Sequence, residues 1–136
     1  MIDPSSEKVS AVLEYGVDGG PVKQSVLFRY DRRDPLSIQA VFEGHNVWTF
    51  GRELLVEALE GDRVAGMADV MAWVSADGGC LVVHLTSHDG ENTLWFRKTQ
   101  VKKFLKATEA IVPRAREADE LEMDRHITEL LDSYPD

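Results

Sequence analysis

Apolar residues alternate with polar ones along the first half of the chain, and this constrains the fold more than any other feature. They occupy odd positions from Val9 to Val17 and mostly even positions from Val22 to Tyr30. A period of two is typical of half-buried β-strands, because successive side chains of a strand point to opposite faces. The sequence Asp18-Gly19-Gly20-Pro21 separates the two runs and favours a turn. We therefore predict an antiparallel hairpin.

The later sequence predicts more strands and two helices. Alternation returns over 36–42, and a short fourth strand starts at Val47. Strand character then recurs in three segments, 63–74, 80–85 and 93–97. Helical spacing of apolar residues appears over 50–59, before Gly61, and over 99–111, before Pro113. Short hairpin loops indicate antiparallel pairing, so the predicted fold class is α+β, with antiparallel sheets of about seven strands.

The first predicted helix is amphipathic. Its apolar stripe, expected to face the core, consists of Phe50, Leu54, Leu55, Ala58 and Leu59. The other side of this helix is charged and is expected to face solvent; it carries Arg52, Glu53, Glu57 and Glu60.

The chain divides by composition into residues 1–113, the predicted α+β domain, and residues 114–136, an acidic segment. The acidic segment contains eight carboxylates and three arginines, −5 of a total formal charge of −9. It starts as a charged linker and ends in a predicted amphipathic helix. The apolar stripe of that helix consists of Met123, Ile127, Leu130, Leu131 and Tyr134. We expect this helix to pack on its own domain or on a neighbouring subunit.

Charge and cysteine content narrow the partners and the compartment. A net charge of −9 opposes binding to nucleic acid and to anionic lipid, unless a local basic patch overrides it. The single cysteine, Cys80, cannot form an internal disulfide, which favours a reducing compartment. No apolar run approaches the ~20 residues needed to span a bilayer. We expect a cytoplasmic protein without direct membrane insertion.

Candidate catalytic and metal-binding groups are weak in this sequence. Cys80 precedes His84 by four residues, and His84 precedes His88 by four. On a strand, that spacing separates the members of each pair by roughly 13 Å, too far for a nucleophile–base contact or for one metal ion. Consecutive Ser87, His88 and Asp89 resemble a turn more than a catalytic triad. We predict no enzyme activity, no cofactor and no metal; an enzyme that uses Cys80 or a histidine is a competing hypothesis.

Two basic clusters are the candidate partner-binding residues. Lys102, Lys103 and Lys106 share one side of the second predicted helix, and Arg32 and Arg33 lie at a hairpin tip. An acidic protein segment would complement either cluster. The alternative for the lysines is an ordinary solvated helix face. With the aromatics Trp48, Trp73 and Trp95, the same basic residues also allow a single-stranded nucleic-acid-binding module.

An ordered set of short motifs resembles the SsgA-like proteins of sporulating actinomycetes. The set runs from Phe28-Arg29-Tyr30-Asp31 through Asp34-Pro35 and Ala40-Val41-Phe42 to the segments 48–55, Asp69-Val70 before Trp73, 104–108 and Val112-Pro113. The resemblance implies a non-enzymatic role in sporulation-specific cell division, in which the protein helps to localise the tubulin-like protein FtsZ and other division proteins to septa. It also implies a fold similar to the Whirly single-strand DNA-binding proteins and a homo-oligomer, a trimer. It carries over no catalytic residue.

Overall fold

The computed structural model describes residues 7–17, 23–44, 46–61, 64–67, 69–88 and 90–114, which form eight strands and two helices. The strands are β1 (Lys8–Val17), β2 (Gln24–Asp31), β3 (Ser37–Phe42), β4 (Val47–Gly51), β5 (Ala65–Met67), β6 (Val70–Val74), β7 (Cys80–Ser87) and β8 (Gly90–Arg97). The helices are α1 (Arg52–Glu60) and α2 (Lys98–Ile111). In this part of the chain, neither helix is long and apolar enough to cross a membrane.

All eight strands belong to one antiparallel sheet in the order β4-β3-β2-β1-β8-β7-β6-β5. Each half is a succession of neighbouring hairpins, and β1 pairs with β8 to join them, with Tyr15 opposite Phe96. The predicted α+β class with antiparallel pairing is confirmed. The strand number is eight because segment 63–74 forms two strands, with Ala65 paired to Ala72. A strand of three residues such as β5 is too short to show a period of its own.

One face of the sheet carries both helices and encloses the core. The residues predicted to point inwards do so: Leu13, Val26, Phe28 and Ile38 are all at most 1% exposed. Phe28 lies at the centre, with its ring 5.4–6.3 Å from three others in edge-on geometry. Those three are Phe50 of β4, Phe96 of β8 and Phe104 of α2. Edge-on aromatic pairs add about 0.5–1.5 kcal/mol beyond simple burial, so this cluster unites the two halves of the sheet with α2.

The predicted solvent position of Arg52 is wrong. Arg52 is the first residue of α1, and it is completely buried. It precedes Leu55 and Val56 by three and four residues, so helical geometry places all three on the inward side. The sequence-based interpretation grouped Arg52 with the acidic residues by its charge, although its spacing already matched the apolar stripe.

The buried Arg52 connects three parts of the fold. Its Nη1 donates to the backbone oxygen of Val112 at 2.7 Å and lies 3.5 Å from Oγ1 of Thr108, both at the end of α2. Its guanidinium carbon is 5.1 Å from the ring centre of Tyr30 in β2, a cation–π contact. Its backbone N–H donates to the oxygen of Leu36 at 2.7 Å, just before β3. Hydrogen bonds to a charged group are stronger than neutral ones, and burial makes their loss costly.

Replacing Arg52 should destabilise the protein. Arg52→Met keeps most of the buried volume but leaves the Val112 oxygen without this donor and removes the contact with Tyr30. We expect a loss of about 2–4 kcal/mol in the free energy of unfolding, measured by urea denaturation. The control is Glu57→Met on the exposed side of α1, which should change stability by about 0.5 kcal/mol or less. Equal midpoints for both variants would contradict the role given to Arg52.

The predicted division of the chain after residue 113 stays a prediction, because the described residues end at Arg114. All eight strands and both helices lie between Lys8 and Ile111. The predicted linker and the predicted C-terminal helix, in residues 115–136, lie outside the described residues, and their packing stays a prediction.

Candidate protein-binding surfaces

The three predicted lysines of α2 lie together on the exposed side of that helix. Val101, Phe104, Leu105 and Thr108 are its buried residues. Lys102, Lys103 and Lys106 are all exposed, as the helical spacing predicts. Among the residues that the structure describes, no carboxylate lies within ion-pair distance of any of the three ammonium groups. We call these three residues the lysine face.

The lysine face borders a groove between α1 and α2. Lys102 and Lys106 line it, and the groove has a volume of about 250 Å³. Its apolar lining comes from Val56, Leu59 and Leu105, and the carboxylates Glu60 and Glu109 also line it. Positive charge beside apolar surface is suited to a protein segment that carries both carboxylates and apolar side chains.

One residue that lines this groove, Arg114, takes part in an ion pair. Arg114 binds Glu53 in a bidentate manner, with Nε 3.1 Å from Oε2 and Nη2 in contact with Oε1. Its Nη1 is also 3.7 Å from Glu60. The hydrogen bond to Glu53 raises the pKa of Arg114 above its usual value. Arg114 is therefore occupied by the carboxylates of α1, and the open positive charge of the groove comes from Lys102 and Lys106.

Arg32 and Arg33 lie in the turn between β2 and β3, as predicted, and both are exposed. The backbone N–H of Arg32 donates to the oxygen of Glu7 at 2.8 Å. Arg33 is held by Asp31: its backbone N–H donates to Oδ1 at 2.9 Å and its Nη2 to Oδ2 at 3.1 Å. The side-chain hydrogen bond from Arg33, more than any other cause, lowers the pKa of Asp31. Arg33 is thus oriented by a carboxylate, unlike the lysines of α2.

The structure separates the two predicted basic clusters. Helix α2 covers the core face of the sheet, where it contacts β1, β7 and β8. Arg33 instead lines a depression with Lys8 and Arg29. These two residues alternate with the core-facing residues of β1 and β2, so they point away from the helices. The lysine face and Arg33 therefore belong to different surfaces on opposite sides of the sheet.

The tryptophans do not join the lysine face. Trp48 packs partly buried against the core. Trp73 and Trp95 are the cross-strand neighbours of Val82, one on each side of it, on the helix-free face. Both are half-buried. No combined surface of lysines and tryptophans forms in the described part of the chain. The nucleic-acid hypothesis, which the Whirly-like resemblance also motivates, stays a prediction.

Cys80 and His84 both belong to β7, which keeps them apart as predicted. Cys80 is a free, partly exposed cysteine. His84 contacts other groups: its Nδ1 is 2.9 Å from Oγ1 of Thr93, and its Nε2 is 3.8 Å from Glu91. Within the described ranges, no group of three or more His, Cys, Asp or Glu residues could hold a metal ion. His45, Asp89 and His126 lie outside those ranges.

Comparison with known proteins identifies the family. Residues 25–117 match the family described as Streptomyces sporulation and cell division protein, SsgA. The chain is 34% identical over 119 residues to the sporulation-specific cell division protein SsgB of Salinispora tropica, covering 82% of this chain and 80% of the relative. The SsgB protein of Streptomyces coelicolor is 34% identical over 109 residues, covering 76% and 78%.

Solved structures show the same fold. One, described in a study of SsgB mutations and longitudinal cell division during sporulation of Streptomyces coelicolor, has a TM-score of 0.73 at 32% identity and covers 83% of this chain and 94% of that one. An SsgA-like sporulation-specific cell division protein from Thermobifida fusca has a TM-score of 0.77 at 26% identity, covering 94% and 98%. The chain belongs to the SsgA-like family of sporulation-specific cell division proteins, and the predicted resemblance is confirmed.

Sequence reasoning missed the depression around Arg29. Arg29 was noticed only as part of a motif, although its position between Phe28 and Tyr30 indicates the side of β2 opposite the core. What the sequence does not contain is the register that brings Ser10 and Gln39 beside Arg29.

The contact between Arg33 and Asp31 predicts how that carboxyl titrates. In NMR titrations of side-chain carboxyl carbons, Asp31 should titrate below its usual range, and Arg33→Gln should bring its pKa back up. Lys8→Gln should have a smaller effect, because Lys8 is 3.8 Å away and acts only through its charge. Since the folded-state pKa is lowered, the contact stabilises the fold above the unfolded-state pKa of about 3.9. This stabilisation is lost as the pH falls through the folded-state pKa. An unchanged Asp31 pKa in Arg33→Gln would contradict this account.

Proposed function

We propose that this chain is a non-enzymatic adaptor of sporulation-specific cell division that binds FtsZ and helps to localise the division machinery to septum sites. Family membership supports the division role, because the relatives are named sporulation-specific cell division proteins. Action at septa in the cytoplasm, without membrane insertion, belongs to the same proposal.

The lysine face is the observation that carries the choice of binding surface. In a chain with a net charge of −9, three neighbouring cations on one exposed helix side form a local exception to the overall field. No described carboxylate lies within ion-pair distance of them, and two of them, Lys102 and Lys106, border a partly apolar groove whose lining also includes Glu60 and Glu109. An acidic partner such as FtsZ would be attracted to this part of the surface and repelled by much of the rest. Such complementarity raises association rates and selects the binding orientation.

Two further expectations stay predictions. The resemblance implies a homo-oligomer, a trimer, and a Whirly-like architecture. Single-stranded nucleic-acid binding remains the alternative function, and the net charge of −9 counts against it.

The test of the proposed function is co-sedimentation of the purified protein with polymerised FtsZ from the same organism, at physiological salt. The wild-type chain should pellet only when FtsZ is polymerised. Lys102→Glu with Lys103→Glu should reduce the bound fraction at least tenfold, because two attractive contacts become repulsive. A second double variant, Arg32→Glu with Arg33→Glu, tests the other predicted cluster separately.

A control of equal net charge distinguishes a local surface from a general effect of charge. Lys23→Glu with Arg97→Glu makes the same charge change outside both clusters and should pellet nearly like the wild type. Equal losses in all three double variants would mean that only overall charge matters. If the wild-type chain stays in the supernatant with polymerised FtsZ, the proposal of direct FtsZ binding is wrong.

A further inference from the structure

The helix-free face of the sheet carries a row of aliphatic side chains across four strands. Val12 of β1 pairs with Leu27 of β2, Leu27 with Val41 of β3, and Val41 with Val47 of β4. All four lie on the side opposite the core. Val12 is 67% exposed and Val47 is 49% exposed. Neighbouring strands are about 4.8 Å apart, so the row spans about 14 Å. Contiguous exposed apolar surface of this kind marks an interaction site.

A polar row runs parallel to the aliphatic row, displaced from it by two residues in each of the four strands. Ser10, Arg29, Gln39 and Thr49 follow one another across the same four strands. Nη2 of Arg29 donates to Oε1 of Gln39 at 2.9 Å, which orients the guanidinium. Within the described ranges, Arg29 has no carboxylate at ion-pair distance. Its remaining N–H donors are therefore available to a ligand.

The depression around Arg29 is locally positive. It has a volume of about 620 Å³, and its charged lining consists of three cations, Lys8, Arg29 and Arg33, and two carboxylates, Asp31 and Asp34. Asp31 lies within ion-pair distance of two of the cations, since Lys8 is 3.8 Å and Arg33 3.1 Å from it. Arg29 is the cation that remains. One oriented guanidinium next to two carboxylates suits a single carboxylate ligand better than a polyanion.

We propose that this face binds an acidic amphipathic segment of a partner protein. Its aliphatic side chains lie on the row formed by Val12, Leu27, Val41 and Val47, and one of its carboxylates forms a bidentate pair with Arg29. The two rows are about 7 Å apart, the distance between alternate residues of a strand. Carboxylate and aliphatic groups close together in one segment match that spacing. The proposal goes beyond FtsZ binding, because this outer surface and the lysine face lie on opposite sides of the sheet.

The probe is an arrayed set of synthetic 12-residue peptides rich in Leu, Ile or Val, each with one or two Glu or Asp residues at varied positions. One matched set replaces the acidic residues with Lys, and another replaces the aliphatic residues with Ser. Binding to the full-length protein is measured by fluorescence polarisation. The acidic–aliphatic peptides should bind more tightly than both matched sets. Arg29→Gln should weaken their binding by about tenfold or more, because a charge-assisted bidentate contact is lost.

Variants separate the two parts of the proposed surface. Val12→Ser with Val47→Ser should weaken peptide binding without unfolding the protein, because both side chains are already substantially exposed. Arg97→Gln is the matched control: it removes the same charge from an exposed residue of β8, outside the depression, and should leave peptide binding unchanged. If Arg29→Gln binds the peptides like the wild type, or if the lysine set binds equally well, the proposal is wrong.

Two other occupants would also overturn the proposal. If Val12→Ser with Val47→Ser lowers the oligomer mass in sedimentation velocity, the face is an interface between copies of this chain. If labelled single-stranded oligonucleotides bind and lose affinity in Arg29→Gln, the ligand is a phosphate backbone. Co-sedimentation of Arg29→Gln with FtsZ should match the wild type, so failure here is distinguishable from failure of the proposed function.

Discussion

The fold depends on one buried cation, Arg52. Its guanidinium donates to the backbone oxygen of Val112, just after α2, and faces the ring of Tyr30. Arg52 is also the first residue of α1 and is completely buried. A buried charge is tolerated only when its donors are satisfied. The end of α2, the start of α1 and the turn before β3 are therefore restricted to one relative arrangement.

The pairing of β1 with β8 is the second constraint, because it makes one sheet of two successions of hairpins. Phe28 and Phe96, on opposite sides of this junction, are in contact at 5.4 Å. The continuous sheet has a helix-covered face and a helix-free face, and the two differ in chemistry. The lysine face and the groove beside it belong to the first, and Arg29 with the aliphatic row belongs to the second. Such a division suits an adaptor that binds two proteins at once.

Much of the fold was predictable because short-range periodicity reports burial directly. Alternation, as in Leu13 with Tyr15 and Phe28 with Tyr30, predicts strands and their inner faces. The short loops between the strands predict the antiparallel class. Helical spacing likewise placed Lys102, Lys103 and Lys106 on an exposed side. Arg52 was misplaced because its charge was weighed above its spacing. The buried side chain of Arg52 donates a hydrogen bond to the oxygen of Val112, which lies 60 residues later in the chain. No local sequence pattern predicts that contact.

The second surface could not be predicted, because it depends on register across strands. Val12, Leu27, Val41 and Val47 belong to four different strands, and no local pattern shows that they are neighbours. Pairing alone brings them into one row and places Arg29 beside Gln39. The same reasoning explains why Arg33, grouped with the lysines as a candidate binding residue, lies on another side of the molecule.

Together, the two proposed surfaces imply that the protein binds FtsZ and an acidic partner segment at the same time. A three-component co-sedimentation tests this central claim most directly. A labelled acidic–aliphatic peptide is mixed with polymerised FtsZ, with and without this protein. The account predicts that the peptide pellets only when the protein is present, and that either Lys102→Glu with Lys103→Glu or Arg29→Gln abolishes this. A peptide that instead releases the protein from FtsZ polymers would show that both ligands compete for one surface, and would contradict the account.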